Sequence, residues 1–260
     1  MIQKSIQAVM CGLLILLCQL PVAQAASNID IEEAINMAGR QRMLSQRIVK
    51  SYLQMGQDVR YRLASRHLRS SIVLFEQQLR VLKGFASDPE TTRTLELMEQ
   101  LWVPVKQIAT GPVQREKAEE LREQSEKLLA AAHQVVLLLT EQSGTNLGQV
   151  VNISSRQRML SQRMGGLYMM MSWKFDNEVY RQDYKTAKRE FEEALQELFN
   201  SNENTPKINE MLHQVELNWN MYKLSDQMEN GQFIPGLVAR QLDRILIQMN
   251  QITALYAALP

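Results

Sequence analysis

Six arginines stand in two identical octapeptides, Arg-Gln-Arg-Met-Leu-Ser-Gln-Arg, at residues 40–47 and 156–163. A guanidinium is a lasting cation whose flat fork of donors matches planar oxyanions. On a helical wheel of about 100° per residue the three arginines of each copy do not share one face. Arg42 falls in a stripe spaced by fours and threes: Ile31, Ile35, Ala38, Arg42, Ser45, Val49, then Tyr52 or Leu53. That is the spacing by which one helix packs along another. Arg158 stands at the centre of the matching stripe, Leu147, Val151, Ser154, Arg158, Ser161, Gly165 and Tyr168.

If the two stripes meet, Arg42 faces Arg158. Two cations in a partly buried seam repel, and each is costly to desolvate without a partner. No acid lies near them in either stripe. A small planar anion between them would relieve both, with Ser45 and Ser161 one turn further on as hydroxyl donors. The spacing therefore predicts a ligand site at Arg42, Arg158, Ser45 and Ser161. Arg40, Arg47, Arg156 and Arg163 lie on another side, where arginines ordinarily pack their stems and keep their heads in water.

The elements that carry these stripes come from a duplication. Phe75-Glu76, Leu79 and Leu82 recur as Phe191-Glu192, Leu195 and Leu198. Pro89 and Trp102 recur as Pro206 and Trp219, and Leu121, Leu128, Val135 and Leu139 as Val238, Ile245, Ile252 and Tyr256. The shift is 116 or 117 residues throughout, so residues 26–142 and 143–260 read as two copies of one unit. Each copy predicts four helices. The first starts at a cap on Asn28 or Asp30 and runs to about Met55; the second spans about Val59 to Gly84. Asp88-Pro89 opens a third, which Pro104 should kink or end, and Gly111-Pro112 opens a fourth that reaches about Gln142. No run alternates in the manner of a strand. The fold class is all-α: two tandem up-down four-helix bundles. The short link Ser143–Gly148 returns the chain so that the two first helices run parallel, as in a dimer built within one chain.

The first 25 residues read as a cleaved signal peptide. Lys4 is their one charge, Ala8 to Leu20 is mostly apolar, and Ala23-Gln24-Ala25 is a small-x-small cleavage pattern. An uncleaved anchor is the alternative reading of that segment. Both cysteines, Cys11 and Cys18, lie inside it, so the mature chain has no disulfide and no thiolate site. Lys4 also accounts for the difference between 29 basic and 28 acidic residues. The basic run from Arg40 to Arg69 suggests nucleic acid, but export and the lack of interleaved aromatic rings argue against it. The expected location is the periplasm.

Other candidates read as structural. Met159, Met164, Met169, Met170 and Met171 could hold copper(I), yet methionine also fills core gaps. His67, His133 and His213 have no ligand-like spacing, and Trp102 and Trp219 suit core anchors. No nucleophile, phosphate loop or carboxylate pair stands out, so neither an enzyme, a metal nor a cofactor is expected.

The stretch from Asn36 to Arg47 resembles the first-helix box of the periplasmic sensor domain of NarX-type nitrate/nitrite histidine kinases. It is more similar still to the PilJ-type domain of type IV pilus chemotaxis transducers. The resemblance implies a four-helix bundle that dimerises through its first helix, with one nitrate held at the seam by the arginine matching Arg42 from each partner. It also implies a signalling role for the arginine matching Arg47. Asn36, Gly39, Asn152 and Arg163 join Arg47 as secondary anion or signalling contacts. In the second copy Ser155 replaces Gly39, where a side chain could narrow access to the backbone. The related sensors continue into a membrane helix and an output module, whereas this chain runs to Pro260 without either.

Two functions follow as expectations. One is a periplasmic binding protein for a small inorganic oxyanion, nitrate or nitrite first, read by a membrane-bound sensor kinase or chemoreceptor. The other is a helical adaptor that docks on a chemoreceptor, kinase or pilus component and binds no ligand. A homodimer is compatible with either.

Overall fold

The computed structural model describes residues 29–226 and 233–260. The expected signal peptide, with Cys11 and Cys18, lies outside the described residues. Eight helices follow in order: α1 (Ile31–Gly56), α2 (Tyr61–Phe85), α3 (Pro89–Thr110), α4 (Lys117–Ser143), α5 (Asn146–Ser172), α6 (Glu178–Phe199), α7 (Pro206–Asp226) and α8 (Pro235–Ala257). The protein is all-α, two four-helix bundles joined side by side, with no strand among the described residues.

Side-chain caps set several starts. Asp30 accepts from the Glu33 amide at 2.8 Å, Asp88 from Thr91 at 2.8 Å and Thr145 from Gly148 at 2.9 Å. Each such cap contributes about 1 kcal/mol. The expected six-residue link between the bundles is shorter than the sequence suggested. Gly144 ends α4 with a φ of 61°, a left-handed turn suited to glycine, and Thr145 at once caps α5. Pro104 does not end α3, which continues to Thr110. One lost backbone hydrogen bond is outweighed there by Trp102, Val105 and Ala109, which bury on both sides of the proline.

α1 and α5 are the central pair. α1 packs against α2, α4 and α5, and α5 against α1, α6 and α8. Hence 18 of the 26 residues of α1 are buried, against eight of the 25 in α2. The pair runs parallel. A Cβ added at Gly148, near the start of α5, would meet Ile35 near the start of α1, while one at Gly56 would meet Trp173 at the far ends. The duplication is repeated in space. Phe75 stacks on Trp102 and Phe191 on Trp219, both at 4.3 Å between ring centres. The indoles donate to Glu76 and Glu192, and Gln41 and Gln157 reach the Phe75 and Phe191 carbonyls. Met159, Met164, Met169 and Met170 are buried and Met171 packs against the core, the gap-filling role. Among the described residues no three His, Cys, Asp or Glu side chains are grouped for a metal, and no helix is long and apolar enough to cross a membrane.

Candidate functional site

Arg42 and Arg158 are the two largest fully buried side chains, at 1 % and 0 % exposure. Among the described residues neither forms an ion pair. Each is instead seated on the other helix. Arg42 Nη2 donates to the Asn152 carbonyl at 3.2 Å, to Asn152 Oδ1 at 3.0 Å and to Ser155 Oγ at 2.5 Å. Arg158 Nη2 donates to the Asn36 carbonyl at 3.0 Å. Asn36 and Asn152 stand 116 residues apart, as do the arginines, so the two contacts are one contact repeated across a pseudo-two-fold axis. The outer nitrogens repeat too. Arg42 Nη1 meets His133 Nδ1 at 3.1 Å, and Arg158 Nη1 meets Asn250 Oδ1 at 3.4 Å. A guanidinium only donates, so Nδ1 of His133 accepts and the imidazole is neutral there.

The expected site had the two guanidinium groups share one anion; here each is seated on its own carbonyl. The guanidinium groups cross to opposite helices because each finds a carbonyl there, which compensates part of its desolvation. Ser45 and Ser161 are not free donors. Their hydroxyls give their hydrogens to the Arg42 and Arg158 carbonyls of their own helices, both at 2.8 Å. Arg40 and Arg47, expected in water, are half-buried.

Burial, then the neighbouring Arg156 charge, draws the Arg42 guanidinium down to about 9, still charged at neutral pH. Arg158 is lowered well below its ordinary value by burial, then by Arg40 and Arg42. His133 is lowered by burial, then by Arg42 and Arg156.

A cavity of about 310 Å³ opens beside Arg42, between α4 and α6 with α5 as its floor. Arg42, His133, Arg156 and Glu190 line one end, and Glu126, Arg163 and Asp183 the other. Leu129, Ala130, Met159, Thr186 and Ala187 complete it. Arg158, Ser45 and Ser161 are not among its lining residues. Most of its cations are already matched. Arg156 pairs with Glu190 at 3.0 Å, and Arg163 holds Glu126 at 2.6 and 2.8 Å and Asp183 at 3.4 Å. Arg42 is the lining cation with no acid against it, and its Nε has no acceptor.

Ser155 acts in the opposite sense to the one its bulk suggested. It supplies Arg42 with an acceptor and passes its own hydrogen to the Asn152 carbonyl at 2.8 Å. Gly39 makes room for it, since a Cβ there would lie 2.3 Å from Ser155 Oγ. Arg158 lacks that acceptor because Gly39 is its counterpart. Sequence reasoning missed His133, Glu126 and Asp183. The signal was present in the repeat offset, which pairs His133 with Asn250 and Glu126 with Asp243.

Two repeats of four helices, joined through first helices that each bury an arginine, define a duplicated helical-bundle module. The family model for the N-terminal domain of type IV pili methyl-accepting chemotaxis transducers, PilJ, matches residues 26–134 and 138–230, and the chain belongs to that family. Its domain is sensory or signalling in kind. The chain matches no curated protein and no solved structure.

Proposed function

We propose that this protein is a periplasmic sensor-like binding protein that takes an anionic group at Arg42 and signals through a membrane-bound chemoreceptor or sensor kinase. The observation that carries this reading is a fully buried guanidinium, without a carboxylate partner, lining an open cavity. An anion there gains a charge-assisted hydrogen bond from a donor whose desolvation folding has already met. Nitrate and nitrite are the first candidates among inorganic ions, through the NarX-type resemblance; a carboxylate presents the same planar pair of oxygens. Units 26–142 and 143–260 then act as the two halves of a built-in dimer. Arg158, with Asn36 and Gly39, supports the seam from the other side, and Arg47 and Arg163 serve as the responding arginines. An export segment at residues 1–25 fits this location.

The ligand-free adaptor is the second reading. It is favoured by Leu217, Met221 and Leu224, an exposed apolar row along α7. A thermal-shift series with nitrate, nitrite, acetate, sulfate and chloride separates the two. The sensor reading predicts a midpoint that climbs with the concentration of at least one anion in the wild type and not in Arg42→Ala. A flat response to all five favours the adaptor.

A further inference from the structure

The two halves of the molecule differ at one place that bears on the ligand. Lys50 is buried at 1 % exposure, and its Nζ donates to Asp243 Oδ1 at 2.5 Å and to Gln162 Oε1 at 3.1 Å. The repeat offset maps Asp243 onto Glu126 and Gln162 onto Gln46, and these two also meet, Gln46 Nε2 donating to Glu126 at 3.4 Å. Lys50 itself maps onto Gly166. The site at Glu126 and Gln46 thus keeps a carboxylate and an amide like those that hold the Lys50 ammonium at Asp243 and Gln162, and lacks the ammonium. Glu126 lines the open cavity.

The arginines respond in step. Arg163 sits with Nη1 on both oxygens of Glu126. Its counterpart Arg47, facing an Asp243 already held by Lys50, makes no ion pair among the described residues and leaves its Nε without an acceptor. Charge also leaves room. Around Asp243 one carboxylate faces Lys50, Arg60 and Arg47. Around Glu126 two carboxylates, with Asp183, face Arg163 and Arg122.

We propose that the cavity takes a zwitterionic amino carboxylate, its carboxylate on Arg42 and its ammonium on Glu126, the place that Lys50 Nζ takes beside Asp243 at the symmetry-related site. The proposal rests on the anion seat at Arg42. Arg156 and Arg163, which mark the two ends of the cavity, are seven residues apart on α5, about 10 Å of helix. Leu129, Ala130 and Met159 suit a methylene chain between the charged groups. The space would hold about ten waters at ~30 Å³ each, far more than one inorganic anion needs. Arrival of the ammonium displaces Arg163 from Glu126 toward the arrangement Arg47 already shows.

Calorimetric titration of the purified protein with unbranched amino carboxylates, from glycine to 6-aminohexanoate, tests this. Each is compared with the plain carboxylate of the same chain length and with nitrate. At least one amino carboxylate should bind about tenfold or more tightly than its amine-free counterpart. Glu126→Gln, with its helical circular dichroism unchanged, should erase that preference, so that each amino carboxylate binds no more tightly than its amine-free counterpart. If every amine-free carboxylate binds as well as its amino partner, the proposal is overturned and the anion seat stands. If nothing in the series binds, both fall. The wild-type comparison decides without the variant.

Discussion

Arg42 reaches across the seam between α1 and α5 to the carbonyl of Asn152, 3.2 Å away, and makes no ion pair on either helix. A buried charge held by neutral acceptors alone is poor for stability, because breaking even with its desolvation needs an opposite charge in good geometry. In the ligand-free protein Arg42→Met, which keeps the stem volume, should therefore leave chemical-denaturation stability unchanged or raise it by up to about 4 kcal/mol. The same variant should lose its response to anions. A large loss of stability would mean that the guanidinium is a structural tie.

Arg158→Met should separate the two arginines. Arg158 is as buried as Arg42 but is not among the residues lining the cavity. Anion affinity in this variant should stay within about threefold of wild type, a change of ~0.7 kcal/mol. A loss equal to that of Arg42→Met would restore the symmetric two-arginine site that the repeat alone suggests.

Gly39 and Ser155 form a matched pair. Gly39→Ala places a methyl 2.3 Å from Ser155 Oγ and 2.5 Å from its Cβ, so the helices must part. The expected cost is about 1–3 kcal/mol of unfolding free energy. Ser155→Gly in the same chain should return most of it, since the pair couples by direct contact. Independent, additive losses would refute the clash.

Lys50 and Asp243 should show the asymmetry of a buried pair. Asp243→Asn leaves an ammonium at 1 % exposure with neutral amide acceptors and no carboxylate against it, and should cost about 3–5 kcal/mol. Lys50→Met should cost far less, because Arg60, 3.4 Å from Asp243, continues to face the carboxylate. Adding Lys50→Met to Asp243→Asn should recover stability, read by urea unfolding.

Acid should weaken the fold through two histidines. His67 is lowered to about 4 by burial, then by Arg47, with Asp243 opposing and Lys50 and Arg60 adding. His133 is lowered by burial, then by Arg42 and Arg156. Both titrate in the unfolded chain near ~6.5. Above that pH neither state carries the proton and stability is full. As pH falls from 6.5 toward 4 the unfolded chain takes up protons that the folded one refuses, so stability declines. Midpoints measured across this range should fall, and His67→Gln should flatten the slope.

Much of this was legible in the sequence. The four-three spacing around Arg42 and Arg158 located the seam, because helix packing repeats with a period the residues must share. The octapeptides and the paired Trp102 and Trp219 exposed the duplication. Where the guanidinium groups end was not legible. A wheel gives the direction of a Cβ, while an arginine stem is long enough to cross to the neighbouring helix and choose the Asn152 or Asn36 carbonyl. Backbone acceptors carry no residue code. The cavity was hidden for a related reason. Its lining includes Glu126, His133 and Asp183, whose counterparts are Asp243, Asn250 and His67, and the pattern that the copies share does not show such differences.

The most direct test is calorimetric titration of the wild type and of the Arg42→Met and Arg158→Met variants with one responding anion. The account predicts one site per chain, absent in Arg42→Met and kept in Arg158→Met. Two equal sites, or binding that survives the loss of Arg42, would contradict it.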